Sequence, residues 1–229
     1  MLHNQLLAEF LGTFMLVLAG TGAIVINDLS GGAITHVGIA ITFGLIVLAV
    51  IYAYGDISGA HINPAVTLAF WAAKRFPGNQ VLPYILAQCG GAVAASVTLR
   101  LLFPEHQTLG ATLPGGAALQ SFVLEVILTW WLMTVILGVA EGAKEKGLVA
   151  GIVIGAVVML EALFAGPVSG ASMNPARSLG PALVSLNLTD LWIYLCAPVL
   201  GALLAVWSCR FVRGQRYCAA GNCDSADLA

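Results

Sequence analysis

Two copies of the pattern SGAxxNPA stand in this 229-residue sequence, with their asparagines at Asn63 and Asn174, 111 positions apart. In both copies the Asn–Pro pair opens a short apolar run. Asparagine is a preferred residue at a helix N-cap, and proline suits the first helical position because its fixed φ is already close to helical. The pattern therefore predicts two short helices with asparagine caps. The residues of the two motifs are Asn63, Pro64 and Ala65, and Asn174, Pro175 and Ala176.

The chemistry of such helix ends is recognition of a neutral molecule. A helix N-terminus carries about half a positive charge, and an asparagine amide donates hydrogen bonds. Two opposed ends would therefore hold a neutral solute with an accepting oxygen and would repel protons and cations. No nucleophile–base pair or metal cluster can be assembled from this sequence, so we expect no enzyme, no metal and no other cofactor.

The composition places the chain in a lipid bilayer. Hydrophobic residues make up 59% of it and charged residues only 9%, whereas a soluble domain carries roughly 25% charged residues. This excludes a soluble enzyme. With 9 basic against 11 acidic residues, the chain has no positive excess to meet phosphate groups, so we expect no nucleic-acid partner.

Six apolar segments are long enough to cross the hydrocarbon core as helices, which takes about 20 residues. They cover residues 6–26, 36–54, 81–103, 118–140, 147–166 and 190–212. Two further segments, 58–73 and 169–186, contain the NPA motifs, with only about ten apolar residues each. Ten helical residues reach about 15 Å, or half a bilayer, so we expect re-entrant half-helices here.

The sequence also predicts an inverted repeat. An ExxxT pattern in the first span, at Glu9, recurs in the fourth span, at Glu125. Each repeat holds three full spans, an odd number, so the second repeat enters the membrane from the opposite face and the half-helices meet near the midplane. The repeats cover about 6–103 and about 118–212. The expected fold is an all-α polytopic membrane protein with six transmembrane helices and two re-entrant half-helices.

The loops that lead into the two NPA motifs are expected to line a wet path. Backbone without helical hydrogen bonds is tolerated at membrane depth only where it is buried in protein or lines an aqueous cavity. We therefore expect a ladder of carbonyl groups that face water. They belong to Gly59, Ala60, His61 and Ile62 in the first loop and to Gly170, Ala171, Ser172 and Met173 in the second.

The basic residues predict the orientation. Seven of the nine follow the second, fourth and sixth spans: Lys74, Arg75, Lys144, Lys146, Arg210, Arg213 and Arg216. Six spans are an even number, so these residues share a side with both termini, and the positive-inside rule assigns that side to the cytoplasm. We expect a multi-pass protein of the cell membrane, plasma or inner, with cytoplasmic termini.

The membrane part is expected to be one domain, 1–212, followed by a polar cytoplasmic tail, 213–229. Three of the five cysteines lie in apolar runs, where we expect them to act as small hydrophobic residues: Cys89, Cys196 and Cys209. The other two, Cys218 and Cys223, lie in the tail, where a disulfide, a soft-metal site and no function all stay open.

Several segments carry a family resemblance. The paired NPA motifs, together with AEFLGTF, KRFP, TLRLLF, LQSFVLE and LWIY, are similar to segments of the major intrinsic proteins, the family of aquaporins and aquaglyceroporins, and within it of the nodulin-like branch. The resemblance extends over essentially the whole chain. It implies an aquaporin-like hourglass with a pore in each subunit, and a homotetramer.

The resemblance also implies a constriction just outside the NPA centre. Its four positions in this sequence are Phe43, Ala162, Ala171 and Arg177. A guanidinium group at the narrowest point offers a fork of donors to a solute oxygen and repels cations. The alternative for Arg177 is a structural pairing with Glu161.

The filter positions imply a class of solute. Ala162 stands where strictly water-selective members carry histidine, and Ala171 is small as well. The implied aperture is wider and less polar than a water-only filter and admits glycerol, urea and neutral metalloid hydroxides such as arsenous or boric acid. Ser178 stands where glycerol facilitators have aspartate, which leaves dedicated glycerol uptake open.

The remaining polar residues allow more than one interpretation. Glu9 and Glu125 are expected to hold the NPA loops by hydrogen bonds, with a proton relay as the alternative. Glu161 could face a neighbouring helix, the outer vestibule or the pore. His61 is expected to support its loop in the cytoplasmic vestibule, with gating by its titration as the alternative.

Taken with the resemblance, the sequence predicts a passive membrane channel for water and small uncharged solutes that excludes protons and ions. Three alternatives stay open. A secondary transporter is one, since broken helices in inverted repeats serve transporters too. A strictly water-selective aquaporin and a scaffold protein without flux are the others.

Overall fold

The computed structural model describes residues 2–140, 144–214 and 218, with the backbone alone for 144–148. These residues form eight helices and no strand. The helices are α1 (Leu2–Leu29), α2 (Thr35–Ser58), α3 (Pro64–Ala72), α4 (Gly78–Leu102), α5 (Ala118–Val139), α6 (Lys144–Ser169), α7 (Pro175–Ser185) and α8 (Leu191–Arg213). The all-α prediction is confirmed.

Six of the helices are long and apolar enough to cross a membrane. They are α1, α2, α4, α5, α8 and the Val149–Ser169 part of α6. The other two, α3 and α7, have 9 and 11 residues and so reach about 14 and 16 Å. The prediction of six spans and two half-helices is confirmed. Because six spans are an even number, the start of α1 and the end of α8 lie on one face, which we call the terminal face.

Left-handed glycines end the two helices that precede the half-helices. Gly59 has φ 83° and its N–H donates to the carbonyl of Gly55, whereas Gly170 has φ 84° and donates to Gly166. Glycine adopts this conformation without a steric penalty, which makes it the usual helix terminator. The chain therefore leaves α2 and α6 abruptly and turns back toward the membrane centre.

The helix pairs repeat between the two halves of the chain. In the first half α1 packs against α4, and in the second α5 packs against α8. In the first pair the carbonyl of Phe10, the residue after the buried glutamate, contacts Gly91 of α4. In the second pair the carbonyl of Val126, in the equivalent position, contacts Gly201 of α8. A Cβ would not fit at either glycine. The repeats thus share helix contacts as well as sequence.

The two halves meet where α2 packs against α6. A Cβ on Gly44 would lie 2.6 Å from the carbonyl oxygen of Gly155, and a Cβ on Gly155 would lie 2.6 Å from that of Gly44. These glycines are 111 positions apart, the spacing of the NPA asparagines. The pseudo-twofold axis of the inverted repeat therefore passes between them.

The cysteines differ from the sequence expectation. Cys209 and Cys218 form a disulfide, so the interpretation of Cys209 as only a small hydrophobic residue was wrong. After α8 ends, the N–H of Cys218 donates to the carbonyl of Gly214, and the disulfide joins Cys218 to α8. Cys89 and Cys196 are free thiols. Cys223 and Arg216 lie outside the described residues.

Candidate functional site

The two NPA asparagines cap the half-helices. The side-chain oxygen of Asn63 accepts a hydrogen bond of 2.9 Å from the N–H of Ala65. That of Asn174 accepts from Ala176 at 3.0 Å and from Arg177 at 3.3 Å. Both asparagines have extended backbone, and Pro64 and Pro175 begin the helices.

The same asparagines tie the two halves of the chain together. Asn63 Nδ2 donates to the carbonyl of Met173 at 2.8 Å, and Asn174 Nδ2 donates to the carbonyl of Ile62 at 2.8 Å. Each amide group has two N–H donors, so one of them holds the opposite loop. Sequence reasoning did not find this cross-link, because only the fold brings the two loops face to face.

Glu9 fixes the first loop from behind. One carboxylate oxygen accepts from the hydroxyl of Ser58 and from the N–H of His61, both at 2.8 Å. The other accepts from the N–H of Ile62 and from Gln88 Nε2, both at 2.7 Å. The loop N–H groups therefore point toward the carboxylate, away from the cavity.

Glu125 fixes the second loop in the equivalent way. Its Oε1 accepts from the hydroxyl of Ser169 and the N–H of Ser172, and its Oε2 accepts from the N–H of Met173, all at 2.8 Å. In these contacts Glu9 and Glu125 act as structural acceptors for loop donors.

A cavity of about 440 Å³ runs past both motifs. Of the predicted site residues, it is lined by Phe43, Gly59, Ala60, His61, Ile62, Asn63, Ala162, Ala171, Ser172, Met173, Asn174 and Arg177. Gly170 is not in its wall, because this residue packs against Thr112, which a Cβ would approach to 3.1 Å. Pro64, Ala65, Pro175 and Ala176 lie in the half-helices beside the wall.

Apolar side chains complete the wall, and sequence reasoning missed them. On α2 they are Val47 and Ile51, which follow Phe43 at intervals of four, and on α6 they are Ala150, Ile154 and Val158, which precede Ala162 in the same way. Residues four apart share a helix face. These wall residues could therefore have been predicted from the sequence by counting in steps of four from Phe43 and from Ala162.

The four positions predicted to form a constriction lie in the cavity wall. The guanidinium carbon of Arg177 is 5.1 Å from the centroid of the Phe43 ring, within the range of a cation–π contact. Arg177 Nη1 donates to the carbonyl of Gly110 at 2.9 Å. Ala162 and Ala171 lie in the same wall. Sequence reasoning missed Gly110, since no motif links it to the arginine.

Glu161 faces none of these groups. Its side chain is fully buried, it does not line the cavity, and neither carboxyl oxygen has a hydrogen-bond partner among the described residues. The partner of Arg177 is therefore Gly110, and the pairing of Arg177 with Glu161 does not form. Of the orientations left open for Glu161, the structure shows burial among helices.

His61 lines the cavity but is firmly packed. Its ring centroid lies 4.8 Å from those of Phe70 and Phe76 and 5.3 Å from that of Tyr84. Its Nδ1 is 3.2 Å from the hydroxyl of Thr67. These contacts make His61 a support for the first loop.

A chain of hydroxyl groups lies behind the second motif. Thr112 donates to the hydroxyl of Ser178 at 2.7 Å, and Ser178 is 2.5 Å from the hydroxyl of Ser172. All three side chains are buried. Through this chain the loop between α4 and α5 contacts the residue that follows Arg177.

Metal binding has no support in the part of the chain that the structure describes, where no group of three or more His, Cys, Asp or Glu residues could hold an ion. The polar side chains of the lining are the amides of Asn63 and Asn174, the guanidinium group of Arg177, the imidazole of His61, the hydroxyl groups of Tyr52 and Ser172, and the carboxylate of Asp56. These groups donate and accept hydrogen bonds, which suits passage of a neutral molecule.

Comparisons with known proteins agree with this geometry. The family model described as Major intrinsic protein matches residues 1–208. Aquaporin NIP1-1 of Zea mays is 51% identical over 211 residues, which are 92% of this chain and 75% of that protein. Nodulin-26 of Glycine max is 49% identical over 211 residues, covering 92% and 78%. Among solved structures, the aquaglyceroporin from Plasmodium falciparum matches with a TM-score of 0.84 and 27% identity, covering 100% of both chains.

Proposed function

The chain belongs to the major intrinsic protein family, within its nodulin-like branch, and from this membership and the cavity geometry we propose that it is a passive channel. The proposed channel conducts water and small neutral solutes through the bilayer and excludes protons and other ions. Flux follows the solute gradient without coupling, and no covalent step is involved.

The observation that carries the proposal is the meeting of the two capped helix ends in the cavity wall. Asn63 and Asn174 line the cavity, and each amide has a second N–H beyond the one that holds the opposite loop. The positive ends of α3 and α7 converge there, which disfavours a cation. A neutral solute with an accepting oxygen can receive hydrogen bonds from these amide groups. Because the solute carries no charge, the positive helix ends do not repel it.

The constriction supports a solute range wider than water. Phe43 supplies an apolar wall, Arg177 supplies donors, and Ala162 and Ala171 leave the remaining two sides small. We propose that glycerol, urea and neutral metalloid hydroxides such as arsenous and boric acid pass. The likeness to the aquaglyceroporin from Plasmodium falciparum supports this range. Ser178, tied into its hydroxyl chain, still distinguishes the chain from glycerol facilitators.

A stopped-flow experiment on purified protein in liposomes tests the function. The panel is water, glycerol, urea, boric acid and arsenite, each with and without gradients of pH and sodium. A channel gives fluxes with low activation energy that ignore both gradients. Accumulation driven by a gradient contradicts the proposal and favours a secondary transporter. Passage of water alone would identify a strictly water-selective aquaporin, and no flux at all would leave the scaffold alternative.

The orientation in the membrane is part of the proposal. The end of α3 lies beside the end of α8 on the terminal face, where Arg210 Nη2 donates to the carbonyl of Ala72 at 2.8 Å and Arg75 Nε donates to that of Cys218 at 2.9 Å. The basic residues of this face favour the cytoplasm. We place the protein in the plasma or inner membrane with cytoplasmic termini, a channel domain of 1–212 and a tail of 213–229.

The assembly proposed from the family resemblance is a homotetramer with a pore in each subunit. The cavity runs past both NPA motifs of one chain, so each subunit of the proposed tetramer would hold its own pore. The lipid bilayer is the expected surrounding of the outer helix faces, which expose large apolar side chains such as Leu101 and Val212.

A further inference from the structure

The loop of residues 103–117 between α4 and α5 turns inward over the constriction. It lies on the face opposite the terminal face, because it follows the third span. Leu109 is fully buried and Gly110 is buried beside it. The carbonyl of Gly110 accepts the 2.9 Å hydrogen bond from Arg177 Nη1. The position of this carbonyl therefore sets where the guanidinium group points.

The backbone at this carbonyl depends on its surroundings. Leu109 and Gly110 both have left-handed φ values, 52° and 73°, and this conformation is unfavourable for residues other than glycine. A Cβ on Gly110 would lie 2.9 Å from the carbonyl oxygen of Thr21, so the loop backbone packs directly on α1. Hydrogen bonds from neighbouring residues must keep Leu109 in place.

His106 supplies one of these bonds. Its Nδ1 accepts from the N–H of Leu109 at 3.0 Å, and its Nε2 lies 3.2 Å from the Asp28 carboxylate. Because Nδ1 accepts a hydrogen bond from an N–H group, it carries no hydrogen itself. The ring is therefore the neutral tautomer with its hydrogen on Nε2. The imidazole is therefore held between α1 and the strained part of the loop.

The charged groups around the imidazole come from three elements. Asp28 belongs to α1, and Arg100 belongs to α4 and donates to the carbonyl of His106 at 2.7 Å. Glu105, in the loop itself, is exposed. The N–H of Leu109 donates to the imidazole and to none of these charged groups.

We propose that His106 is a positioning residue for Arg177, and that a second proton on its ring changes which neutral solutes pass. The proposal rests on the channel function proposed above. A second proton must bind at Nδ1, which then no longer accepts from Leu109. The carbonyl of Gly110 loses its fixed position, and the donors of Arg177 lose their alignment with a solute hydroxyl. Water, which needs fewer simultaneous contacts, is affected less.

Two substitutions test the roles of the two ring nitrogens one at a time. In His106→Asn the side-chain oxygen takes the place of Nδ1 and accepts from an N–H three residues on, as an N-cap asparagine does. This variant keeps the bond to Leu109 and cannot titrate. In His106→Gln the amide reaches the place of Nε2 and keeps a donor for Asp28, but it offers no acceptor at the place of Nδ1. Glu105→Gln, in the exposed neighbour, is the matched control.

The test is the ratio of glycerol to water permeability in proteoliposomes, measured in symmetric buffers at pH 8 and pH 5. Histidine changes its charge within this range. In the wild type and in Glu105→Gln, the ratio should fall at pH 5 by about tenfold, the effect of losing one hydrogen bond to a charged group. His106→Asn should keep the pH 8 ratio at both values, and His106→Gln should give the low ratio at both.

Hydrogen exchange of the peptide 103–117 gives a readout that does not need flux. Exchange at Leu109 should be faster in His106→Gln than in His106→Asn at pH 8. Equal behaviour of the two variants, or a pH response that survives in His106→Asn, would overturn the positioning role. Absence of any solute flux in the wild type would instead contradict the channel function, while the exchange comparison still decides the role of His106.

Discussion

Arg177 combines two roles in one side chain. Its charge lies in the cavity wall, where it is only 3% exposed, and it is shared between the carbonyl of Gly110 and the face of Phe43. Burial weakens the screening of this charge by water, so it acts strongly on any ion that enters. In the proposed channel the same guanidinium group presents donors toward a neutral solute.

Arg177→Val should make the channel leak cations. Two unit charges about 5 Å apart interact by about 3 kcal/mol at an effective dielectric constant of about 20, so cation or proton conductance should rise roughly 100-fold. Ion leak across liposomes, with water permeability measured in parallel, checks this. Arg177→Lys keeps the charge and is the control that should stay tight. An unchanged leak in the valine variant would count against Arg177 as part of the constriction.

Ala162→His should narrow the constriction and add a polar group to it. Ala162 lies in the cavity wall and is 8% exposed, so the imidazole must enter the space that a solute uses. Glycerol permeability should fall by roughly tenfold or more, since a pocket rejects even one extra methylene to that extent, whereas water should change little. Stopped-flow rates for both solutes decide the matter. Equal losses would mean that Ala162 does not face the path.

At the scale of elements, the half-helices depend on the carboxylates behind them. α3 and α7 are too short to be anchored by their own contacts on both sides of the bilayer, and their loops carry N–H groups with no helical partner. Glu9 and Glu125 accept from these groups. Each half-helix is therefore fixed at its N-terminal end by a span of its own repeat.

A matched pair of substitutions tests this anchoring. Glu125→Leu leaves the buried N–H groups of Ser172 and Met173 without acceptors, which should cost about 2–6 kcal/mol of unfolding free energy. Glu161→Leu removes a fully buried carboxyl group that has no partner among the described residues, so it should be neutral or stabilising. Denaturation in mixed micelles gives both values. Similar losses in the two variants would contradict the anchoring role of Glu125.

The elements also show what the sequence could predict and what it could not. The spans and half-helices follow from run length and from the Asn–Pro caps, which are local properties of the chain. The bonds from Asn63 to Met173 and from Arg177 to Gly110 join residues 110 and 67 positions apart. Neither bond leaves a periodic signal, so only the packed structure shows it. The disulfide of Cys209 was missed because a cysteine in an apolar run resembles any small hydrophobic residue.

At the scale of the whole molecule, α2 and α6 connect the two repeats through the backbone contact of Gly44 and Gly155. Both helices also line the cavity, with Phe43 next to Gly44 on α2 and Ala162 on α6. The separation of these two helices therefore sets the width of the path and the fit between the repeats. The two glycines are related by the pseudo-twofold axis, so they should contribute equally.

Gly44→Ala and Gly155→Ala should each destabilise the protein. In each case the new Cβ would lie 2.6 Å from the opposite carbonyl oxygen, and overpacking of this kind typically costs about 1–3 kcal/mol. One methyl group already separates the helices enough to make room for the other, so the double variant should cost less than the sum of the two. Gly55→Ala, also on α2, is the control, because its Cβ would meet only Ile51 at 3.8 Å. Its better helix propensity should leave it neutral or slightly stabilised. The measurement is the unfolding free energy of the four variants relative to the wild type. If the losses of the two single variants add up exactly in the double variant, the two helices do not share one contact.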